Sequence, residues 1–381
     1  MNHVAFVIPG IDRISGAERQ VILLAKGLHK RGWHVSVVAL SGNGGEAATG
    51  LISAGVNYFT LEMRKGLADP RGWLRFNRWL KRESPDVVHA HLPHAAWLSR
   101  WSRLAAPVRV LVDTLHSSST GTIGRHLGYR CSDWLANDVT AVSHAVASAH
   151  LSARMASKIT VIPNGVDVEE WRPDPEVRAT VRRELNLNHE FIWFAAGRLD
   201  PVKDNPTLLR AIAQLSQAAS LVIAGAGPLK NGLLSLSKSL GIEARVRFLG
   251  FEPNVRRWMQ AADGFVLSSL WEGLPMALLE AAACGLPAVA TDVPGTREVL
   301  QDEETGRLAP GGNPDKLAES MSMMMEASQE ARIVMGKRAR QNVIDRFSLG
   351  AVLYRWEALY RELLLRNPIP KRHGHRTCNP L

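Results

Sequence analysis

Glu272 and Glu280 stand eight residues apart in the segment Glu272-Gly273-Leu274-Pro275-Met276-Ala277-Leu278-Leu279-Glu280. The first falls in a Gly-Pro loop and the second inside the helix that should follow. If all eight steps were helical, the rise would be about 12 Å, beyond the roughly 5–9.5 Å of glycosidase acid pairs. The two acids therefore suit different parts of one extended ligand, and such acids also hold ribose hydroxyls in nucleotide sites. Leu278, Leu279, Ala281, Ala282 and Ala283 surround Glu280, which argues against a merely solvated carboxylate. Arg198 and Lys203 are five apart in Gly197-Arg198-Leu199-Asp200-Pro201-Val202-Lys203-Asp204. A guanidinium fork and a compact ammonium on one loop suit a diphosphate, and two solvated surface charges are the alternative. His89, His91 and His94 crowd together and His116 stands apart. Their spacing would permit a metal site, although strand-end side chains facing a cleft are the commoner arrangement. The chain contains no Asp-x-Asp, which weakens any metal-diphosphate mechanism.

Two glycine loops accompany these groups. Gly10 to Glu18, with Gly16 just before a helix, offers backbone N–H groups and a positive dipole end to an anion, or is a plain strand-to-helix turn. Ala224-Gly225-Ala226-Gly227-Pro228-Leu229 reads as a tight turn that could line a nucleotide pocket, because Pro228 and Lys230 spoil a dinucleotide fingerprint.

The elements that must position these residues alternate in type. Apolar runs at Val4–Ile8, Val35–Leu40, Asp86–His89, Val108–Leu115, Val139–Val142 and Ile159–Ile162 read as buried strands, with amphipathic stretches such as Ala17–Arg31 and Leu74–Glu83 between them. A second series runs through Phe191–Ala196, Leu221–Ala224, Val246–Leu249, Phe265–Leu267 and Ala288–Ala290. This pattern predicts an α/β protein with two Rossmann-like domains of parallel strands. Pro163-Asn164-Gly165 and Trp171-Arg172-Pro173-Asp174-Pro175 mark the break between them. The expected domains are 1–168 and 169–348, then a helix over 349–367 and a basic, disordered tail over 368–381. Leu353, Trp356, Leu359 and Leu363 define the buried face of that helix. Ligands of such sheets bind where strands end and helices begin.

Composition narrows the field further. The 381 residues include 46% hydrophobic and 22% charged residues, values of an ordinary globular chain rather than a disordered or disulfide-stapled one. Cys131, Cys284 and Cys378 form no CxxC pair, which fits a reducing compartment. No signal-peptide core or run of bilayer-spanning length occurs, so a soluble, cytoplasmic protein is expected. The net charge of +10 is uneven: residues 1–168 carry 19 Lys and Arg against 11 Asp and Glu. That half should face something anionic. Arg64, Lys65, Arg71, Arg75, Arg78, Lys81 and Arg82 interleave with Trp73, Phe76 and Trp79. The stretch suits a membrane surface or a nucleic acid, or it is a helix burying Trp73, Phe76 and Leu80.

Taken in order, Gly16-Ala17-Glu18, His116, Ile162-Pro163-Asn164-Gly165-Val166-Asp167, Gly197-Arg198-Leu199 with Lys203, Gly225-Ala226-Gly227-Pro228, Val246-Arg247-Phe248-Leu249-Gly250 and Glu272-x7-Glu280 resemble the retaining nucleotide-sugar glycosyltransferases of family 4. The resemblance implies the GT-B architecture, with two domains facing across a cleft and a C-terminal helix crossing back to the first. It assigns Arg198 and Lys203 to the donor diphosphate, with Gly16 approaching the same phosphates. Glu280 would take the ribose hydroxyls, Glu272 with Gly273, Leu274 and Pro275 the donor sugar, and His116 the sugar face near the reacting centre. Transfer would be metal-independent and without cofactor. The implied partners are a nucleotide sugar, UDP-linked, a lipid-linked or glycan acceptor of cell-surface polysaccharide synthesis, and the anionic inner face of the cell membrane. Nucleic acid is not among them. A non-hydrolysing sugar-nucleotide epimerase and a basic nucleic-acid-binding protein are the rival readings.

Overall fold

The computed structural model describes residues 1–12, 16–64, 69–119, 123–184 and 191–368, apart from the side chains of Ile123 and Arg125. Ser15, Lys65 and the tail beyond Pro368 lie outside the described residues. The first series of elements runs β1 (His3–Ile8), α1 (Gly16–Lys30), β2 (His34–Ala39), α2 (Gly45–Ile52), β3 (Asn57–Thr60), α3 (Pro70–Glu83), β4 (Val87–His91), α4 (Pro93–Ser102), β5 (Val110–Leu115), α5 (Ile123–Ser132), β6 (Asp138–Ala141), α6 (His144–Ser152) and β7 (Thr160–Val161). The second runs α7 (Pro175–Glu184), β8 (Phe191–Ala196), α8 (Asn205–Gln214), β9 (Ala219–Ala224), α9 (Lys230–Ser239), β10 (Val246–Gly250), α10 (Val255–Ala261), β11 (Gly264–Leu267), α11 (Met276–Ala283), β12 (Ala288–Thr291), α12 (Pro294–Arg297) and β13 (Arg307–Ala309). Three helices follow: α13 (Pro314–Glu326), α14 (Gln329–Phe347) and α15 (Leu349–Arg366).

The strands form two sheets, in the orders β3-β2-β1-β4-β5-β6-β7 and β10-β9-β8-β11-β12-β13. Their pairings are parallel, as the alternation of apolar runs and amphipathic stretches requires. Each order reverses direction once, between β1 and β4 and between β8 and β11. Such a switch point leaves a crevice at the carboxyl ends of the two strands. The loops holding Arg198, Lys203 and Glu272 follow β8 and β11, so they open on the second of these crevices.

Two compact units divide the chain. Met1–Thr114, Ile123–Val139 and Tyr354–Leu381 make the first, and Leu115–Thr122 with Thr140–Leu353 make the second. In the second, the core gathers Trp193, Leu221, Ile223, Val266, Val289 and Leu317 between sheet and helices. In the first, every residue of β1 is buried and α1 lays Val21, Leu24 and Leu28 on the sheet at helical spacing.

Helix α15 supplies part of that first core, and Trp356, Leu359 and Leu363 are buried along it as the sequence spacing requires. Two polar contacts fix its register. The Tyr360 hydroxyl lies 2.6 Å from His89 Nδ1, while His89 Nε2 lies 2.6 Å from the Thr114 hydroxyl. His89 is thus an interior hydrogen-bonding residue. Among the described residues no group of three or more His, Cys, Asp or Glu is arranged to hold a metal.

Glu357 accepts from the Trp33 indole at 3.0 Å and from Arg31 at 2.8 Å. Burial alone would raise its carboxyl, but these donors and the Arg31 and Arg361 charges hold it below the ordinary glutamate value. A depressed carboxyl stabilises the fold at neutral pH and loses that contribution as pH falls through the ordinary glutamate range and below. Replacing Glu357 with Ala strands a buried indole N–H and should cost about 1.5–3 kcal/mol at neutral pH. Urea unfolding of wild type and variant should show this gap and show it narrowing in acid.

Candidate functional site

The loop after β8 runs through Gly197-Arg198-Leu199-Asp200 into a single 3-10 turn, Pro201–Lys203. Pro201 presets that turn, and Asp204, at φ 42°, redirects the chain and caps α8 through Thr207 N. The turn aims Lys203 back over the end of the sheet.

Two glycines of the neighbouring loop make room for this path. A Cβ on Gly225 would lie 1.8 Å from the Gly197 carbonyl oxygen, and one on Gly227 would lie 2.3 Å from that of Leu199. Backbone hydrogen bonds close the seam, from Gly197 N to Ala224 O, Leu199 N to Ala226 O and Leu229 N to Leu199 O. The turn at Gly225-Ala226-Gly227 therefore serves a tight loop-to-loop junction.

Across the switch point, the loop after β11 is tied to the same turn. Leu270 N donates to Val202 O at 2.8 Å and the Ser268 hydroxyl to Lys203 O at 2.8 Å. Glu272 Oε1 accepts from Lys203 Nζ at 2.5 Å and from the Ser269 hydroxyl at 2.6 Å. The pair is shielded, with the Lys203 and Glu272 side chains 23% and 11% exposed. Arg198 by contrast is 78% exposed and reaches Asp200 at 2.6 Å. Arg198, Lys203, Asn205 and Ser268 line one cavity at the carboxyl ends of β8 and β11.

Gly273, Leu274 and Pro275 are buried, and Pro275 caps the start of α11. Gly273 passes so close to His116 that a Cβ would lie 2.7 Å from the His116 carbonyl oxygen. Gly295, in α12, approaches the Glu272 carbonyl in the same way, at 2.5 Å. Burial pushes the His116 imidazole down to about 4, so it is neutral at physiological pH. It can exchange hydrogen bonds there without adding charge.

Glu280 sits one turn into the site helix and is 4% exposed, in keeping with its apolar neighbours. Burial and the Glu280 carboxylate push the adjacent Cys284 thiol up to about 12, which makes it inert. The structure thus brings Arg198, Lys203, Glu272, Gly273 and His116 into one neighbourhood of the second unit, with Glu280 on the helix leading from it. Gly16 opens α1 in the first unit and is exposed.

Sequence reading missed Ser269 and Asp200, which take the free valences of Glu272 and Arg198. A hydroxyl three residues before a loop carboxylate is the signal that could have found Ser269. The basic stretch also needs correction: α3 buries Phe76, Trp79 and Leu80, with Trp79 packed on Phe59 and Phe76, so Trp79 cannot meet a membrane. Trp73 is half-buried, and Arg71, Arg75, Arg78, Lys81 and Arg82 remain outside.

Two family models match the chain, "Glycosyltransferase Family 4" over residues 14–170 and "Glycosyl transferases group 1" over residues 177–342. The chain belongs to the glycosyltransferases of family 4. Among its relatives is the UDP-Gal:alpha-D-GlcNAc-diphosphoundecaprenol alpha-1,3-galactosyltransferase of Escherichia coli, 26% identical, with 78% of this chain and 81% of that protein aligned. Another is the N-acetyl-alpha-D-glucosaminyl L-malate synthase of Bacillus anthracis, 28% identical over 74% of this chain and 76% of the relative. The crystal structure of Anabaena HepE in complex with UDP shares the fold at TM-score 0.83 and 24% identity, covering 95% of this chain and 100% of that one. The architecture is GT-B.

Replacing Gly225 with Ala drives a methyl into the Gly197 carbonyl, a backbone atom that cannot rotate away. Overpacking of this kind should cost at least about 1–3 kcal/mol. Thermal unfolding should show a lower midpoint, whereas Gly232→Ala, where a Cβ meets nothing within 4 Å, should not.

Proposed function

We propose that this glycosyltransferase moves a sugar with retention from a UDP-sugar to an anionic, lipid-linked or glycan acceptor of cell-surface polysaccharide synthesis, without metal or cofactor. The observation that carries the reading is the convergence of Arg198, Lys203 and Glu272 at one switch point. Arg198 and Lys203 meet the negative charge that grows on the departing diphosphate, the electrostatic help a loose transition state needs. Lys203 and Glu272 arrive already paired, so a diphosphate entering beside them shares a preorganised ammonium. Glu272, with Gly273, Leu274 and Pro275, holds the donor sugar, Glu280 holds the ribose, and His116 lies at the sugar face.

Retention is supported by the state of Glu272. Its Oε1 is engaged by both an ammonium and a hydroxyl, which makes it a poor nucleophile for a covalent intermediate. The acceptor oxygen then attacks from the face the diphosphate leaves.

Residues 1–168 form the acceptor side and 169–348 the donor side, with 349–367 as a helix returning to the first. The names of the two relatives point to acceptors bearing acid groups, a diphosphate-linked lipid in one and L-malate in the other. The excess positive charge of the first 168 residues suits either. A lipid-linked acceptor places the enzyme at the inner face of the cell membrane, held there peripherally. No helix of the described residues is long and apolar enough to cross a membrane. The cations of α3 and the exposed Leu74, Trp101, Leu104, Leu127 and Trp134 of the same unit offer the charge and apolar surface for such contact.

Calorimetry with UDP in the presence of EDTA tests the donor site. Wild type should bind, and Glu280→Ala and Arg198→Ala should each weaken binding about tenfold or more, the loss of one charged hydrogen-bond partner. Unchanged affinity in both variants would remove the assignment, and binding that requires added magnesium or manganese would remove metal independence.

Membrane contact is read by co-sedimentation with vesicles. Wild type should follow anionic but not neutral vesicles, less so as salt rises, because each basic residue near such a surface contributes about 1 kcal/mol. Replacing Arg71, Arg75 and Arg78 together with Glu should release the protein and leave UDP affinity as it was.

A further inference from the structure

Glu298 follows α12 directly and lies outside the residues assigned above to the donor. Its Oε1 accepts from Ala145 N at 2.8 Å, at the first turn of α6. Ser143 caps the next amide, Val146 N, at 3.1 Å, so two first-turn N–H groups have separate acceptors. A carboxylate at that end also meets the positive end of the helix dipole. Helix α6 in turn grips the loop that carries His116. His150, on its last turn and 3% exposed, donates from Nε2 to the Ser117 carbonyl at 2.8 Å. At its other end, Val146 Cγ2 would lie 3.2 Å from a Cβ on Gly273. Helix α12 meanwhile backs the Glu272 and Gly273 carbonyls through Gly295. All of these groups belong to the second compact unit.

The connections form a closed strut. One arm runs from the Glu272–Gly273 loop through Gly295 and α12 to Glu298. The other runs from Glu298 through α6 and His150 to Ser117 and His116. The gap between Gly273 and the His116 carbonyl closes the ring. We propose that Glu298 is a positioning residue: its bond to Ala145 N sets α6, and through His150 the His116 loop, against the Glu272–Gly273 loop. The inference rests on the proposed donor-sugar site, since it assigns a residue to holding that site in shape.

Hydrogen–deuterium exchange over residues 115–119 and NMR titration of the His116 ring, on the full chain, test it without any acceptor. In Glu298→Ala the Ser117 region should exchange about tenfold faster or more, because the opening free energy of a local segment falls with its anchor. The His116 midpoint should rise from about 4 by about one pH unit or more as the loop opens to water. Glu298→Gln keeps an acceptor oxygen and should stay close to wild type. His150→Ala, which cuts the other end of the strut, should reproduce the alanine effect if Glu298→Ala fails to fold. UDP affinity should stay within about twofold in all three, because none of them touches Arg198 or Glu280. A lower melting temperature with exchange and titration unchanged would overturn the proposal and leave Glu298 a simple helix cap. Wild type that ignores UDP would instead count against the donor site, while the exchange comparison would still decide the role of Glu298.

Discussion

One carboxylate oxygen, Glu272 Oε1, organises the carboxyl end of the second sheet. It gathers the Lys203 ammonium from the loop after β8 and the Ser269 hydroxyl from the loop after β11. The Ser269 carbonyl is itself held by Thr291 at the end of β12. Three strands therefore end in one hydrogen-bonded knot. Removing either partner of a shielded pair leaves the other charge without compensation, which costs more than the pair gains over two neutral groups. The loops are consequently fixed relative to one another before any ligand arrives, and fixed loops waste less binding energy on ordering.

Glycine at three positions lets this knot be so tight. Gly225 and Gly227 admit the Gly197–Leu199 backbone, and Gly295 admits that of Glu272. At Gly227 and Gly295 these approaches need no positive φ. They depend on the absence of one carbon atom, so any substitution is felt as a collision with backbone.

Much of this was legible in the sequence. The strand series was read from apolar runs because strands buried on both faces must be apolar throughout. β3 and β13 escaped because they are short and little buried. Asn57–Thr60 and Arg307–Ala309 are largely half-exposed and carry polar residues, so no apolar run announces them. Glu280 could be placed inside because its helix neighbours are apolar almost all round. The partners of Arg198 and Glu272 could not, since an Asp two residues away or a Ser three away is informative only once the turn between them is known. The tryptophans of α3 show the same limit. Spacing revealed an amphipathic helix, and only packing on Phe59 showed that Trp79 belongs to the inner face. Trp101 and Trp134, exposed on the same unit, carried no sequence signal at all.

The composition of the first unit has a consequence for how the chain is made. Its core holds Trp356, Tyr360 and Leu363 beside residues such as Trp33 and His89, which leave the ribosome more than two hundred residues earlier. Synthesis is vectorial and domains tend to fold as they emerge. The second unit ends at Leu353, so its whole chain is out before the last helix of the first unit exists. The half made first must then wait as an unfinished core, its Trp33 indole without the Glu357 acceptor and its His89 Nδ1 without the Tyr360 hydroxyl, until α15 has been translated. The residues of β1 and β4 in this sense complete their core only after those of the second unit have been made.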